Sequence, residues 1–294
     1  MLTLEHLAGL IEQHRSAGAS PVLEFAIKDR LFAFNSRPAI MGVINLSADS
    51  WYRESVCLST ECAVQRGCVL CTQGADIVDV GAESTLAHAL RVDEALQNSR
   101  LVPVVRALDE HGAIVSVETY QPAVVRACLD AGASILNLTG SQNEEIYRIV
   151  GAHDAAVIIC YVQGSNVRAV GDFDFSADPC AMLHDYFSRQ IEMATNAGVT
   201  KIFIDPGLGF YYRNLQDSTT RVRHQMNVFL NTFRLRKLGF PVCHALPHAF
   251  EYFREEVRCA EPFFAVLAAL GKTDLFRTHE VRRTKAVLDA LSIY

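Results

Sequence analysis

Apolar positions concentrate in eight short segments along the chain, most of them separated by a stretch long enough to form a helix. The segments are rich in Val and Ile and nearly continuous. Such runs are typical of strands buried on both faces, as in a parallel sheet covered by helices. The eight predicted strands are Ala39–Leu46, Asp76–Glu83, Ile114–Thr119, Ser134–Thr139, Ala156–Tyr161, Lys201–Pro206, Phe240–Leu246 and Leu275–Glu280.

The stretches between the strands predict amphipathic helices, for example Gln121–Ala131, Pro179–Ala197 and Val222–Leu238. Glycine in a left-handed conformation commonly ends a helix and turns the chain back. Candidates for this role are Gly74, Gly132, Gly198 and Gly239. The repeat of strand, helix and glycine fits a barrel or a doubly wound sheet. Eight repeats favour a (β/α)8 TIM barrel.

The N-terminal part of the chain lies outside this repeat. An apolar stripe at helical spacing runs from Leu4 to Ile11, and Val22–Phe34 predicts a pair of strands with a turn at Lys28–Arg30. We therefore predict an extension of one helix and a β-hairpin over residues 1–36, followed by a barrel over residues 37–294. The extension would either plug the bottom of the barrel or contact a second protomer, and the plug is the simpler interpretation.

Composition narrows the class of partner. The 294 residues are 50% hydrophobic and 20% charged, and the formal net charge is −6 with the two signs mixed along the sequence. Nucleic acids and anionic lipids attract clustered Lys and Arg, so a small-molecule partner is expected instead. Residues 1–16 lack the apolar core of a signal peptide, and no stretch approaches the roughly 18 to 20 apolar residues of a membrane span. A cytoplasmic location is expected.

The nine cysteines are irregularly spaced in a chain large enough to fold without disulfides, so we expect reduced thiols. Cys68 and Cys71 form a C-x-x-C pair within an apolar helical run. There is no second Cys or His pair at ligand spacing in the sequence. Packing is therefore favoured over a metal or redox role for this pair.

Polar residues stand at the carboxyl ends of all eight predicted strands, where a parallel barrel builds its active site. They are Asn45, Asp79, Glu83, Glu118, Asn137, Tyr161, Asp205, His244, Arg277 and His279. Taken alone, Asp79 is explained as an interior carboxylate held by its neighbours, and His244 as a satisfied core histidine. The convergence of polar groups at every strand end nevertheless indicates a binding site.

Six short motifs surround these strand ends. They are Ile40–Trp51 (IMGVINLSADSW), Gly74–Thr85 (GADIVDVGAEST), Ser116–Tyr120 (SVETY), Ile135–Asn137 (ILN), Ile204–Phe210 (IDPGLGF) and Arg277–Glu280 (RTHE). In this order they resemble the dihydropteroate synthase family, from about residue 22 to the C-terminus. The resemblance implies a transferase of folate biosynthesis that joins 4-aminobenzoate to a pterin methyl diphosphate. It also implies release of diphosphate with the help of Mg²⁺, and a homodimer formed through barrel helices.

The resemblance also implies roles for individual residues. Asp205 would accept hydrogen bonds from the amino group and ring N–H of a pterin, and Asn137 would supply amide contacts. Glu118 would lie near the reacting methylene and stabilise positive charge there as the C–O bond breaks. The family motif that contains Asp205 also places Phe210 among the substrate-binding residues.

The diphosphate end of the implied site comes from the first and last strands. Arg277 and His279 would hold the leaving diphosphate, and with Glu118 they are the candidate catalytic residues. Asn45 would bind substrate and act as the protein ligand of Mg²⁺. Because the first and eighth strands are neighbours in a closed barrel, these groups can converge.

The chain departs from the family pattern at the amine-acceptor end. After the seventh strand the family has S-R-K-S-F, whereas this chain has Ala245–Phe250 (ALPHAF), so the Lys is replaced by His248 or Ala249. The family's S-T-R-P becomes Ser84–Ala87 (STLA), which lacks the Arg. The family's Asp on the third strand is Glu118, and its Asn-Asp pair is Asn137-Leu138. The loss of a charge-assisted hydrogen bond from Lys would weaken pterin binding by about ten to a hundredfold.

Three functions remain open on this basis. The first is a transferase that uses a pterin diphosphate with 4-aminobenzoate or a related nucleophile. The second is a non-catalytic pterin- or folate-binding paralogue that acts through a partner. The third is a folate-dependent methyltransferase, although such an enzyme has no use for the diphosphate clamp of Arg277 and His279. A general-base role for His244 or His248 is a less favoured addition to the first.

Overall fold

The computed structural model describes residues 1–50, 52–84, 91–140, 143–164, 172, 178–209 and 215–294. Each of the eight predicted barrel strands is confirmed, and the predicted hairpin precedes them. The strands are β1 (Phe25–Ile27), β2 (Arg30–Phe32), β3 (Ala39–Asn45), β4 (Ile77–Gly81), β5 (Val115–Glu118), β6 (Ile135–Leu138), β7 (Ala156–Cys160), β8 (Lys201–Asp205), β9 (Cys243–Ala245) and β10 (Leu275–Thr278).

Strands β3 to β10 form one parallel sheet in the order β8-β7-β6-β5-β4-β3-β10-β9. A parallel bridge between Ile204 and Val242 joins β8 to the residue before β9, so the two edges of the sheet meet. The predicted (β/α)8 barrel is therefore confirmed. The register sets Glu118 beside both Gly81 and Asn137, which brings the ends of β4, β5 and β6 to one level.

Helices follow the strands around the outside of the barrel. They are α1 (Leu4–Gln13), α2 (Arg15–Gly18), α3 (Thr60–Thr72), α4 (Glu94–Glu110), α5 (Pro122–Asp130), α6 (Glu144–Ala152), α7 (Pro179–Asn196), α8 (Ser218–Leu235), α9 (Phe250–Phe253), α10 (Ala260–Leu270) and α11 (Val281–Leu291). Short 3-10 turns span Arg53–Ser55, Arg236–Leu238 and Arg254–Cys259. In the part of the chain that is described, no helix is both long and apolar enough to cross a bilayer.

Local sequence signals fix where the helices begin and end. The side chains of Ser59, Asp93, Asn143 and Asp217 each accept a hydrogen bond from a backbone N–H in the first turn of the following helix. The predicted glycine caps all have positive φ, with +103° at Gly74, +109° at Gly132, +93° at Gly198 and +82° at Gly239. These positions favour glycine because other residues adopt this conformation only with strain.

The β1–β2 hairpin closes the amino-terminal end of the barrel. Its apolar residues, among them Ile27 and Phe34, pack in one buried cluster with interior residues of the barrel such as Met41 and Phe203. Lys28 in the turn donates to the carbonyl of Ala113, just before β5. The strand pair is thus confirmed, and it lies in the plug position. The division of the chain at residue 36 stays a prediction.

The N-terminal helix has a different position from the hairpin. No residue of α1 is fully buried, and Leu7 and Leu10 face a groove on the outer side of α8 that also includes Phe253 and Phe263. The helix therefore lies against the outside of the barrel and takes no part in the plug.

All nine cysteines are free thiols, as expected. Helix α3 turns Ala63, Gly67 and Leu70 toward the core, whereas Cys68 is half-buried and Cys71 is exposed. Core packing therefore does not explain Cys71. No candidate metal cluster among the described residues contains either cysteine.

Candidate active site

A cavity of about 110 Å³ opens at the carboxyl ends of the strands. Asn45, Glu118, Arg277 and His279 all line it. A second space of about 50 Å³ adjoins the first, and it is lined by Asn137 and Asp205 in addition to Glu118 and Arg277. The structure therefore brings these six predicted site residues to one mouth of the barrel. What each of them does there stays a prediction.

Asp79 is the centre of the polar network beneath the cavity. It lies on β4 and is fully buried. Its Oδ1 accepts a hydrogen bond from Ser116 Oγ (2.6 Å), and its Oδ2 accepts from Asn137 Nδ2 (3.1 Å) and Arg277 Nε (2.7 Å). This supports the interpretation of Asp79 as an interior carboxylate held by its neighbours. Its function is to fix the orientation of two side chains that face the cavity.

Arg277 reaches from β10 across the barrel interior. Besides the bond to Asp79, its Nη2 donates to Glu118 Oε2 on β5 at 2.6 Å. Burial opposes a charge at this position, but Asp79 and Glu118 hold the pKa of Arg277 above its usual value. The guanidinium therefore remains charged and is held at two corners by carboxylates.

The two carboxylates that line the smaller space have raised pKa values. Burial raises the pKa of Glu118 to about 7 against the opposing effect of Arg277, with further increases from the charges of Asp79, Asp205 and Glu83. Burial likewise raises the pKa of Asp205 to about 6, against opposing effects from the backbone N–H of Gly207 and from Arg277. Both groups therefore change charge close to neutral pH.

A sharp turn after β8 positions Asp205. Gly207 has φ of +74°, and its N–H donates back to Asp205 Oδ1 at 2.8 Å. A residue with a Cβ would be strained at that φ, which explains the glycine in the DPGLGF motif. Asn137 Oδ1 accepts a weak bond from Cys160 Sγ (3.4 Å), so both ends of the Asn137 amide are oriented.

Asn45 lies at the end of β3 on the opposite rim of the cavity. Its Nδ2 donates to Ser55 Oγ at 2.7 Å, and Ser55 Oγ in turn donates to the backbone carbonyl of Tyr52 at 2.7 Å. This chain of hydrogen bonds fixes the amide and leaves its carbonyl oxygen as the group that can act as a ligand.

A buried carboxylate on α10, Glu261, holds two histidines at the cavity wall. Its Oε1 lies 2.7 Å from His279 Nδ1 and 3.2 Å from His248 Nε2. Its Oε2 accepts from the backbone N–H groups of His279 (2.9 Å) and Glu280 (3.0 Å) and from the hydroxyl of Thr278. The Tyr52 ring covers both imidazoles, with centroid distances of 5.0 Å to His248 and 4.8 Å to His279.

The pKa values of Glu261 and His279 both lie below their usual values. Burial alone would raise the pKa of Glu261, but the attraction of His279 and His248 lowers it below its usual range. Burial lowers the pKa of His279 despite the adjacent carboxylate. An ionised Glu261 beside a neutral His279 is therefore the expected state near neutral pH.

Glu261 was not predicted from the sequence. A signal existed, since it is a single carboxylate at the start of an apolar helical run, Ala260–Leu270, and a charged residue in such a run is rarely buried without partners. The run carries no motif, however, and nothing in it indicates His279 as the partner.

Two of the polar residues at strand ends point away from the cavity. The Tyr161 ring packs on Tyr186 (4.8 Å between centroids), and its hydroxyl donates to Met182 Sδ in α7. His244 is fully buried and its Nε2 lies 2.7 Å from Thr232 Oγ1 in α8. Burial lowers the pKa of His244 to about 3, so the structure favours the core interpretation over a general base.

Two other positions of interest fall in stretches that are not described. Phe210 and the segment Thr85–Ala87, where the family's Arg is replaced, lie outside the described residues. Glu83, just before that segment, accepts hydrogen bonds from the backbone N–H of Val92 (3.1 Å) and the hydroxyl of Tyr120 (2.8 Å) at the rim of the cavity.

Comparison with known proteins agrees with this geometry. The family model described as pterin binding enzyme matches residues 41–246, which is more than half of the chain. The chain belongs to the pterin binding enzyme family. The matched segment runs from β3 to the end of β9 and includes Asn45, Glu118, Asn137 and Asp205.

Relatives of this chain include dihydropteroate synthases. The dihydropteroate synthase of Streptococcus pyogenes is 29% identical over 274 residues, which cover 89% of this chain and 97% of the relative. Dihydropteroate synthase from Synechocystis is 29% identical over 217 residues, 72% of each protein.

Among solved structures, dihydropteroate synthase from Xanthomonas albilineans with 4-aminobenzoic acid is 26% identical to this pterin binding enzyme, with a TM-score of 0.76. The match covers 92% of this chain and 98% of the Xanthomonas chain. The enzyme from Thermus thermophilus in complex with 4-aminobenzoate is 25% identical, with a TM-score of 0.74 and coverage of 92% and 100%.

Proposed function

We propose that this pterin binding enzyme is a dihydropteroate synthase-like transferase. It joins a pterin methyl diphosphate to 4-aminobenzoate or a related nucleophile and releases diphosphate. The observation that carries the proposal is the convergence of Asp205, Asn137, Glu118 and Arg277 around one space at the barrel mouth. The named relatives support the same activity.

The smaller space suits the flat donor edge of a pterin. A carboxylate at Asp205 accepts two neighbouring N–H groups, and the fixed amide of Asn137 adds polar contacts. Asp79 orients Asn137 from below, as described, so this part of the site is organised before the ligand binds. Preorganised acceptors lose little freedom when they bind a ligand.

The larger space is the place for the reacting methylene and the diphosphate. The amine nitrogen attacks the methylene carbon, and the C–O bond breaks with its electron pair moving to diphosphate. The amine then loses one proton to solvent water. A guanidinium has five N–H donors, so Arg277 can contact diphosphate with those not directed at Asp79 and Glu118. When ionised, Glu118 stabilises the positive charge that develops at the methylene.

Mg²⁺ is included in the proposal because of the donor at the end of β3. The amide of Asn45 presents a carbonyl oxygen at the cavity, and Mg²⁺ is commonly held by one or two protein oxygens together with substrate phosphates. Asn45 therefore fits the role of a protein ligand of Mg²⁺. When bound, the ion would neutralise charge on the leaving diphosphate. A homodimer and a cytoplasmic location remain expectations from the sequence.

A direct assay tests the proposal. Purified protein with Mg²⁺, pterin methyl diphosphate and 4-aminobenzoate should release diphosphate and form the coupled product. Asp205→Asn should lower kcat/KM by about ten to a hundredfold, because an amide N–H₂ faces donors where a carboxylate accepted them. The matched control is Asp185→Asn on the exposed side of α7, which should leave the rate unchanged.

The assay also separates the alternatives. Pterin binding without diphosphate release, with any amine offered, would contradict the transferase and favour a non-catalytic paralogue. The replacement of the family's Lys in the segment Ala245–Phe250 is the observation behind that alternative. A folate-dependent methyltransferase would keep its activity in Arg277→Ala, whereas the transferase should lose it.

A further inference from the structure

Three side chains of the metal-ligating types meet beside the larger space, at the ends of β9 and β10. They are His248, Glu261 and His279, and each offers one ligand atom within 4.8 Å of the other two. We propose that this cluster binds a divalent transition metal ion of the Zn²⁺ class. The site is separate in its ligands from the single oxygen donor of Asn45.

The two distances from Glu261 to the histidines need only a small adjustment to hold an ion. Ligand bonds of 2.0–2.2 Å in a tetrahedral site place neighbouring donor atoms roughly 3.4 Å apart. Glu261 Oε1 is 3.2 Å from His248 Nε2 and 2.7 Å from His279 Nδ1. An outward shift of the His279 ring by less than about 1 Å would bring the shorter of these two distances into range. The two imidazole ligand atoms lie within 4.8 Å of each other.

The donor types select the kind of ion. Two imidazoles and one carboxylate suit Zn²⁺ and its neighbours in the transition series, whereas Mg²⁺ prefers oxygen donors alone. Three protein ligands leave a fourth position open, which is the arrangement of catalytic rather than structural zinc sites. Both histidines line the cavity, so the cluster lies next to the space proposed for the substrate.

The residues around the cluster hold its side chains in place, as the outer residues of metal sites do. The second oxygen of Glu261 is fixed by two backbone N–H groups and the Thr278 hydroxyl, which orients the first oxygen toward the histidines. The Tyr52 ring stacks on His248 and packs at a tilt against His279, which restrains both imidazoles. A carboxylate held in this way loses little entropy when it becomes a ligand.

One nitrogen atom of the cluster is buried without a hydrogen bond. His248 Nε2 is shielded from solvent, and no described residue forms a hydrogen bond with it. Its 3.2 Å approach to Glu261 has the distance of an ion pair but not the direction of a hydrogen bond. Burying a ring nitrogen without a hydrogen bond costs free energy. A cation coordinated between His248 and Glu261 would remove that penalty.

The metal itself is the probe, and no substrate is needed. Protein stripped with a chelator should bind one Zn²⁺ per chain in calorimetry, and Co²⁺ should give the visible absorption of a four-coordinate ion. His248→Ala and Glu261→Gln should weaken binding by at least about tenfold. His184→Ala, which removes a half-buried histidine of α7 outside the cluster, should bind as the unaltered protein does.

A further variant guards against misfolding as an explanation. His248→Lys introduces the residue type of the family's motif at one of its two candidate positions, and an ammonium cannot coordinate a metal. It should fold with an unchanged circular dichroism spectrum and lose metal binding. The proposal is wrong if no ion binds to the unaltered protein, or if His248→Lys binds it equally well. Since pterin is absent, either result is independent of transferase activity.

Discussion

Several carboxylates of the site interact with the buried guanidinium of Arg277. Arg277 is bonded to Asp79 and Glu118, and Asp205 lies close enough for its charge to raise the pKa of Glu118. Full ionisation of all three carboxylates would leave excess negative charge in a buried space. The raised pKa values of Glu118 and Asp205 are the physical response, since uptake of a proton removes part of that charge.

Pterin affinity should depend on pH through Asp205. The pKa of Asp205 is raised to about 6 by burial, and the ionised form is the one that accepts pterin N–H groups. Affinity should therefore be fully present above that pKa and fall by up to tenfold per pH unit as pH drops below about 6. Calorimetric titration with a pterin from about pH 8 to about pH 5 measures the change.

The variant Asp205→Asn serves as the control for that titration. It should bind more weakly and lose the inflection near the pKa of Asp205, because its side chain does not titrate. An unaltered protein whose affinity stays constant across the range would contradict the assigned role of Asp205.

Residue positions were more predictable than residue partners. Asn137, Asp205 and Arg277 could be placed at strand ends from the sequence, and they meet at the barrel mouth. The bond from Arg277 to Asp79, however, joins residues 198 positions apart, and nothing local specifies it. Partners of this kind depend on the register of β10, β3 and β4, which only the closed barrel establishes.

At the level of elements, close packing between α10 and α8 places a strict limit on one position. Gly271 follows α10, and a Cβ added there would lie 1.7 Å from the backbone oxygen of Phe229 and 2.8 Å from its carbonyl carbon. Both obstructing atoms are backbone atoms of α8. Neither can rotate away, so the helices themselves would have to separate.

Gly271→Ala should therefore destabilise the protein by about 3 kcal/mol or more, measured by urea unfolding. The matched control is Gly9→Ala in α1, where an added Cβ meets nothing within 4 Å. That change should raise the stability of α1 slightly, by about 0.5 to 1 kcal/mol at most, because alanine favours a helix more than glycine does. Equal effects of the two substitutions would refute the packing argument.

Elements with strong local signals were predictable and weakly patterned ones were not. Continuous Val and Ile runs identified strands such as β7, and glycines such as Gly132 identified the helix ends. The seventh barrel strand was predicted over Phe240–Leu246 but spans only Cys243–Ala245. The helix α9 and the 3-10 turn after it were not predicted, since Phe250–Cys259 has no clear helical period.

At the scale of the whole molecule, the hairpin completes a core that the barrel cannot fill alone. The Phe34 ring lies 5.4 Å from Phe25 and 5.4 Å from Phe203, edge to face in both cases. Such contacts add to the burial of a large apolar side chain. The stability of the barrel therefore depends on residues that precede its first strand.

Truncation of Phe34 should show this dependence. Phe34→Ala should lower the free energy of unfolding by about 3 to 5 kcal/mol, whereas Leu31→Ala on the same hairpin should change it by less than about 0.5 kcal/mol, because Leu31 is 64% exposed. Urea unfolding measures both. The folded fraction of each variant should retain normal pterin affinity, and a selective loss of affinity in Phe34→Ala would contradict the separation of the two barrel ends.

That separation bears on how such a protein evolves. The apolar floor around Phe34 and Phe203 secures folding, while the chemistry is confined to the opposite rim. The segment Ala245–Phe250, where the family's motif is replaced, has no residue in the apolar cluster of the floor, so substitutions there need no compensating changes in it. A lineage can therefore exchange its acceptor while it inherits an intact barrel. Laboratory selection for new nucleophiles should randomise this rim and leave the hairpin untouched.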